Sequence, residues 1–163
     1  MAIQHYSFDF EVFENITQLT DDDLQLLLQA REATDRAYAP YSKFHVGAAA
    51  RLQNGGTVSA TNQENASYPV GICAERTLLS TLSSIHSGIP VVTIAITYVN
   101  HATGGGDQPA SPCGLCRQTL LEYEQRMGHP IRLILAGPEG SIVIINRAKD
   151  LLPFGFGPDD LKR

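Results

Sequence analysis

The sequence has no run of lysine or arginine, no long apolar stretch and few cysteines. Its 163 residues carry 12 basic and 17 acidic side chains, a formal net charge of −5, with the basic residues scattered. That pattern excludes a polyanion-binding face and points away from a nucleic-acid partner. No segment approaches the roughly 20 apolar residues of a membrane-spanning helix, so no membrane partner is expected. The opening MAIQHYSFDFEVFEN lacks a basic start and an apolar h-region and does not read as a secretory signal. Three cysteines, an odd number, argue against a disulfide framework and for reduced or metal-bound thiols in a cytoplasmic protein. Repeats, low-complexity tracts and internal linkers are also missing. The length suits one domain that buries about two thirds of its unfolded surface.

What is present is an alternation of strand and helix signals. Tyr6, Phe8, Phe10 and Val12 alternate with polar residues, a strand pattern over 6–13. Thr20 and Asp23 resemble a capping box, followed by Leu24, Leu27 and Leu28 at helical spacing, with Pro40 closing the region. FHVGAAARL, Asn54-Gly55-Gly56 and TVSAT read as a hairpin. CAERTLLSTLSSI is a helix with Leu78, Leu82 and Ile85 as its apolar stripe, ended by Gly88 and Pro90. VVTIAITYV reads as a buried central strand and NHATGGGDQP as a loop. A further helix runs from Cys113 through Leu120, Tyr123 and Met127. IRLILA, a Gly137–Gly140 turn and SIVII close the chain as two strands. Two strand–helix–strand crossovers imply parallel pairing, and two short turns imply antiparallel hairpins. The expected fold class is α/β: a three-layer α-β-α sandwich around a mixed five-stranded sheet. Residues 1–20 form an N-terminal extension, whose strand-like segment is an added edge strand or an arm onto a neighbour.

The stretch SPCGLCRQ, from Ser111, holds two of the three cysteines. On its own, Cys113-x-x-Cys116 reads equally as a redox dithiol or as half of a metal site. Thioredoxin-like folds carry such a motif early, after the first strand, whereas here it lies late. The third cysteine, Cys73, opens the other helix of the pair, where the positive end of the helix dipole favours thiolate. Two helices that each follow a strand can bring their N-termini together at the carboxyl edge of a sheet. Three thiolates would then converge on one ion. Three protein ligands leave a fourth position open, the pattern of catalytic rather than structural zinc, and thiolates select zinc or an iron–sulfur centre over magnesium or calcium. Glu75, two residues after Cys73, is placed to exchange protons without ligating. Read singly, Cys73 is a small buried apolar residue and Glu75 a carboxylate favouring a helix N-terminus; the combination carries the metal reading.

Cys73-Ala74-Glu75 with Pro112-Cys113-Gly114-Leu115-Cys116-Arg117-Gln118 resembles the zinc-dependent cytidine deaminase superfamily. APYSKFHVGAAA (39–50), NQENASYPVGICAERTLL (62–79) and LLPFGFGPDDL (151–161) are similar to stretches of its free-nucleoside branch, in order. Cysteine rather than histidine as first ligand, and a four-residue turn between the last two strands, separate this chain from the nucleic-acid-editing members. The resemblance implies a catalytic domain over 21–163 and one Zn²⁺ per subunit on Cys73, Cys113 and Cys116. It implies Glu75 as proton shuttle and Arg76 hydrogen-bonded to the thiolates. Asn62 and Glu64 would hold the ribose hydroxyls and Phe44 would pack on the base. The Ala74 N–H would bind the pyrimidine O2, and the Ser111 carbonyl would accept from the amine. Phe156 would stack from a neighbouring subunit, with Tyr68 at the interface of a homotetramer with shared active sites. The implied reaction is hydrolytic deamination of cytidine and 2′-deoxycytidine, a pyrimidine salvage step on a small-molecule nucleoside. A related aminopyrimidine nucleoside, a zinc-stabilised binding protein and a thiol oxidoreductase are the competing readings. The N-terminal extension and the enlarged loop at HATGGGDQ depart from the family pattern.

Overall fold

In the computed structural model, which describes residues 1–162, side-chain alternation along the strands sorts apolar residues onto the two faces of a single sheet. The elements are β1 (Phe10–Phe13), α1 (Asp21–Ala33), β2 (Phe44–Leu52), β3 (Thr57–Thr61), α2 (Ala74–Ile85), β4 (Val91–Asn100), α3 (Gly114–Met127), β5 (Arg132–Ala136) and β6 (Ile142–Ile145). Their lateral order is β1-β6-β5-β4-β2-β3. Strands β4 and β5 are parallel, and every other neighbouring pair is antiparallel. On one face, α2 and α3 cover Ala48, Ala50, Ile94, Ile96, Leu133 and Leu135. On the other, α1 covers Ala49, Ala95, Ile134, Ile142 and Ile144. The architecture is the expected mixed-sheet sandwich, with six strands where five were read.

The sixth strand is β1, and it is shorter than its alternation suggests. Only Phe10–Phe13 pair with β6, from Phe10 opposite Ile145 to Phe13 opposite Ile142. Phe10 and Val12 stay largely exposed, so the alternation there does not mark a buried face. Before the strand, Tyr6 donates its hydroxyl to the Asp150 carbonyl at 3.2 Å. Only one of the two crossovers makes a paired parallel ladder. Strands β3 and β4 run the same way, but β2 lies between them because the turn at Asn54–Gly56 folds β3 back along its outer edge. Gly55 supplies the left-handed backbone for that turn, at φ 85°.

The helices begin where the sequence signals place them and bury different stripes. Thr20 caps α1, its hydroxyl accepting from the Asp23 N–H at 3.3 Å. The buried face of α1 is Asp23, Leu26, Leu27, Ala30 and Ala33, while Leu28 is exposed. In α2 it is Leu78, Leu79 and Leu82, and Ile85 at the helix end is exposed. Leucine-rich helices offer more than one apolar stripe, and the sheet they meet selects among them. Asp23 is tolerated in the α1 face because Arg132 on β5 binds it through two contacts of 2.8 Å. Glu124 is buried in α3 and accepts from the N–H groups of Ile131 and Ala148 at 2.8 and 2.9 Å. It thereby fastens the end of α3 to the segments beside β5 and β6.

Helix α1 lies directly on the backbone of β2: a Cβ at Gly47 would run into the carbonyl oxygen of Ala30. Gly47→Ala is expected to cost about 1–3 kcal/mol, the range of an overpacked core. A lowered urea midpoint at unchanged m-value would read this out.

Candidate active site

Two helix N-termini, one on each side of β4 in chain order, carry the thiols. Cys73 is the N-cap residue of α2 and Cys113 that of α3, both with extended backbone. Cys116 lies in the first turn of α3, on the same face as Cys113. A small antiparallel bridge positions Cys73: Gln63 and Ile72 exchange backbone hydrogen bonds of 2.9 and 3.0 Å, so the loop carrying Glu64 returns to the head of α2. The Cys73 and Cys113 sulfurs are 3.8 Å apart and those of Cys113 and Cys116 are 3.5 Å apart. All three sulfurs lie within 4.8 Å of one another, and none is in a disulfide. Tetrahedral Zn–S bonds of about 2.3 Å place sulfurs about 3.8 Å apart, so the donor set and its spacing fit one zinc ion with a fourth position left for a non-protein ligand.

The electrostatics of the site follow from burial and proximity. The Cys116 thiol donates to Cys73, which lowers the Cys73 pKa to about 6 and raises that of Cys116. Burial pushes the Glu75 carboxyl above its ordinary range, opposed by hydrogen bonds from its own backbone and Cys116 and by the Arg76 charge. Arg76 acts on Cys73 and Glu75 through its charge, and among the described residues it makes no hydrogen bond to a sulfur.

Above the thiols opens a cavity of about 450 Å³. Phe44, Asn62, Glu64 and Tyr68 line one side, and Cys73, Glu75, Ile96, Ala110, Ser111 and Cys113 the other. Phe44 begins β2 and stacks on Tyr98 with ring centroids 4.6 Å apart. Asn62 leaves β3 and bridges the β2 backbone: its Oδ1 accepts from the Val46 N–H at 2.8 Å and its Nδ2 donates to the Phe44 carbonyl at 2.9 Å. One oxygen of Glu64 accepts from the Tyr41 and Ser42 N–H groups at 2.9 and 3.2 Å. Hydrogen bonds from the Ser42 side chain and these two amides hold its pKa below the usual carboxylate value. Ala74 is fully buried in the first turn of α2, where backbone N–H groups have no intrahelical acceptor. Phe156 stands apart: it does not line this cavity and is 57% exposed. Gln118 ties it to α3 by donating to its carbonyl at 2.7 Å. Tyr68, 75% exposed at the rim, meets the Tyr41 ring edge-on.

Arg117 was given no role by sequence, although it directly follows Cys116. Its guanidinium donates to the Pro112 carbonyl at 2.8 Å, the Leu151 carbonyl at 3.2 Å and the Ser111 hydroxyl at 3.3 Å. It braces the turn that presents Ser111 and Cys113. Tyr98 was read only as part of a buried strand. The contacts of Tyr98 with Phe44 and of Arg117 with Leu151 join segments far apart in sequence, which leave no local signal.

Residues 20–127 match the family model described as the cytidine and deoxycytidylate deaminase zinc-binding region. A cytidine deaminase of Mycobacterium tuberculosis is 39% identical over 137 residues, covering 82% of this chain and 89% of the relative. One from Halalkalibacterium halodurans is 35% identical over 140 residues, covering 86% and 98%. Among solved structures, a cytidine deaminase from Burkholderia pseudomallei superposes with a TM-score of 0.71 at 34% identity, over 85% of this chain and all of that one. The M. tuberculosis structure gives 0.63 at 34% identity, over 85% and 98%.

The purified protein is expected to hold about one zinc ion per chain, with no thiol titratable before denaturation. Cys113→Ala is expected to lose the metal and to melt at lower temperature, since metal binding contributes to folding. Elemental analysis and thermal melts of the same samples check both.

Proposed function

The chain belongs to the cytidine and deoxycytidylate deaminase family, and from that membership we propose that it removes the C4 amine of cytidine and 2′-deoxycytidine by hydrolysis. The products are ammonia and uridine or 2′-deoxyuridine, a salvage step on free nucleosides. The observation that carries this reading is a buried carboxylate, Glu75, set beside an open three-thiol centre at the base of one nucleoside-sized cavity. Cys73, Cys113 and Cys116 would hold zinc, which when bound lowers the pKa of water to about 7 and so supplies hydroxide at neutral pH.

Glu75 takes a proton from the attacking water as its oxygen bonds to C4, and delivers that proton to N3. The remaining hydroxyl proton then passes through Glu75 to the amine. The C4–N4 bond breaks, ammonia leaves, and C4 keeps the oxygen as a carbonyl. The raised carboxyl pKa suits a group that alternates between base and acid. The Ala74 N–H binds the pyrimidine O2 and the Ser111 carbonyl accepts from the amine, so the ring presents C4 to the centre. Phe44 packs on the base. Glu64 has one oxygen uncommitted to backbone for a ribose hydroxyl, and Asn62, already locked to β2, offers its second N–H and lone pair. Arg76 offsets the negative charge that three thiolates leave on a divalent ion.

Residues 21–163 constitute the catalytic unit, with residues 1–20 an extension whose strand β1 lengthens the sheet. The active assembly is a cytoplasmic homotetramer in which Phe156 enters a neighbour's cavity and Tyr68 lies at the interface. The exposure of Phe154, Phe156 and Tyr68 supports burial by a second subunit. The acidic net charge and scattered basic residues favour a free nucleoside over a polynucleotide.

Glu75→Ala is expected to retain zinc while turnover falls at least about 10²- to 10⁴-fold, the usual contribution of general acid–base catalysis. Wild-type-like turnover would contradict the mechanism. A spectrophotometric panel of cytidine, 2′-deoxycytidine, cytosine and cytidine monophosphate tests substrate class, and activity confined to the two nucleosides is expected. Phe156→Ala is expected to raise KM for cytidine, with the oligomer followed by size-exclusion chromatography; unchanged KM would remove the shared-site role.

A further inference from the structure

The two walls of the cavity come from segments with different constraints. Phe44 and Val46 belong to a paired strand, whereas Ala110 and Ser111 follow a glycine-rich loop that has no strand or helix of its own. Three consecutive glycines, 104–106, give that loop large backbone freedom. Arg117 braces Ser111 and Pro112 from α3, which leaves the preceding residues 106–110 to be held from another side. Tyr98 contacts both the Phe44 wall and, at Gln108, the loop that leads into the other wall. It lies opposite Val46 on β4, one alternation beyond Ile96 and on the same cavity-side face. It is buried, its ring stacks on Phe44 at 4.6 Å and 20°, and its hydroxyl donates to the Gln108 carbonyl at 3.2 Å. Gly106 also presses on it: a Cβ there would collide with the Tyr98 hydroxyl and lie 3.1 Å from the ring carbon that bears it.

The first half of the loop is tied near Phe44, where the His101 N–H donates to the Lys43 carbonyl at 2.9 Å and the His101 ring meets His45 edge-on at 4.6 Å; the second half is held elsewhere. The Ala110 N–H donates to the Ala136 carbonyl at 3.2 Å, and the Glu139 N–H donates to the Gly106 carbonyl at 3.4 Å. Both anchor the loop to the β5–β6 hairpin, away from Phe44. Among the described residues, the Tyr98 hydroxyl makes the hydrogen bond that links this second half of the loop to β4, the strand paired with the one that carries Phe44.

We propose that Tyr98 is a positioning residue for the nucleoside: its ring supports Phe44, and its hydroxyl holds the loop that presents Ala110 and Ser111 at the opposite wall. The spacing of the two walls, and so the fit of the base, is set through this side chain. The proposal rests on the deaminase reading for its ligand, while the loop tie is independent of it.

Tyr98→Phe keeps the ring and removes the tie. It is expected to speed amide hydrogen exchange over 106–111 and to raise KM for cytidine about 3- to 10-fold, the effect of one net hydrogen bond, while lowering kcat by less. A merely structural loss would reduce the active fraction, and with it apparent kcat, at unchanged KM. Gly106→Ala perturbs the same contact from the loop side and is also expected to raise KM. In the double variant the missing hydroxyl makes room for the added methyl, so the two effects on KM are smaller together than their product. Unchanged KM in Tyr98→Phe overturns the proposal, even with faster exchange, and so do effects that multiply in the double variant. A zinc-loaded wild-type chain inactive on every nucleoside would instead overturn the deaminase reading. The tie would then be judged by exchange alone, and unchanged protection in Tyr98→Phe would remove it.

Discussion

Cys73 and Cys113 each cap a helix, and their sulfurs stand 3.8 Å apart although 40 residues separate them in sequence. That approach constrains much of the domain. Helix α2 leaves the edge strand β3 and α3 leaves the central strand β4, so the two helices must converge across β2. They do so because Leu78, Leu82, Leu120 and Tyr123 share one core over the same sheet face. Burial of this apolar surface therefore places the two positive helix ends beside each other, and the thiols ride on them.

The same convergence creates an electrostatic problem that the surrounding residues answer. Three thiolates on a divalent ion leave a net negative charge, which is costly in a partly buried site. Two helix N-termini and the Arg76 charge offset it. Arg117 takes a different part, since its three hydrogen bonds go to Pro112, Leu151 and Ser111 and hold the loop around Cys113 in shape. Asn62 and Glu64 on the cavity wall are likewise anchored to backbone, so the ribose contacts proposed for them would cost little side-chain freedom.

Local signals were legible where chemistry or backbone geometry is local. The Thr20 cap, the Asn54–Gly56 turn and the helix starts at Cys73 and Cys113 all depend on a few neighbouring residues, and the structure has them where they were read. Burial was less legible. Leu28 and Ile85 fit an apolar stripe and are exposed, while Asp23 and Glu124 look like surface charges and are buried. Arg132 satisfies Asp23 and two backbone amides satisfy Glu124, partners 109 and up to 24 residues away. Strand β1 was visible as alternation, but its length depends on how much of β6 is free to pair.

Sequence alone determined the donor set, because three cysteines, a carboxylate two residues after one of them and helix starts at two of them are properties of short segments. It also determined the layer architecture, since strand and helix periods alternate along the chain. Only the tertiary structure decided that β2 separates β3 from β4, that Phe156 stays out of its own chain's cavity, and that Tyr98 stacks on Phe44 while binding the loop at Gln108. Those outcomes come from which faces and edges meet in space, and that is a property of the packed sheet rather than of any one segment.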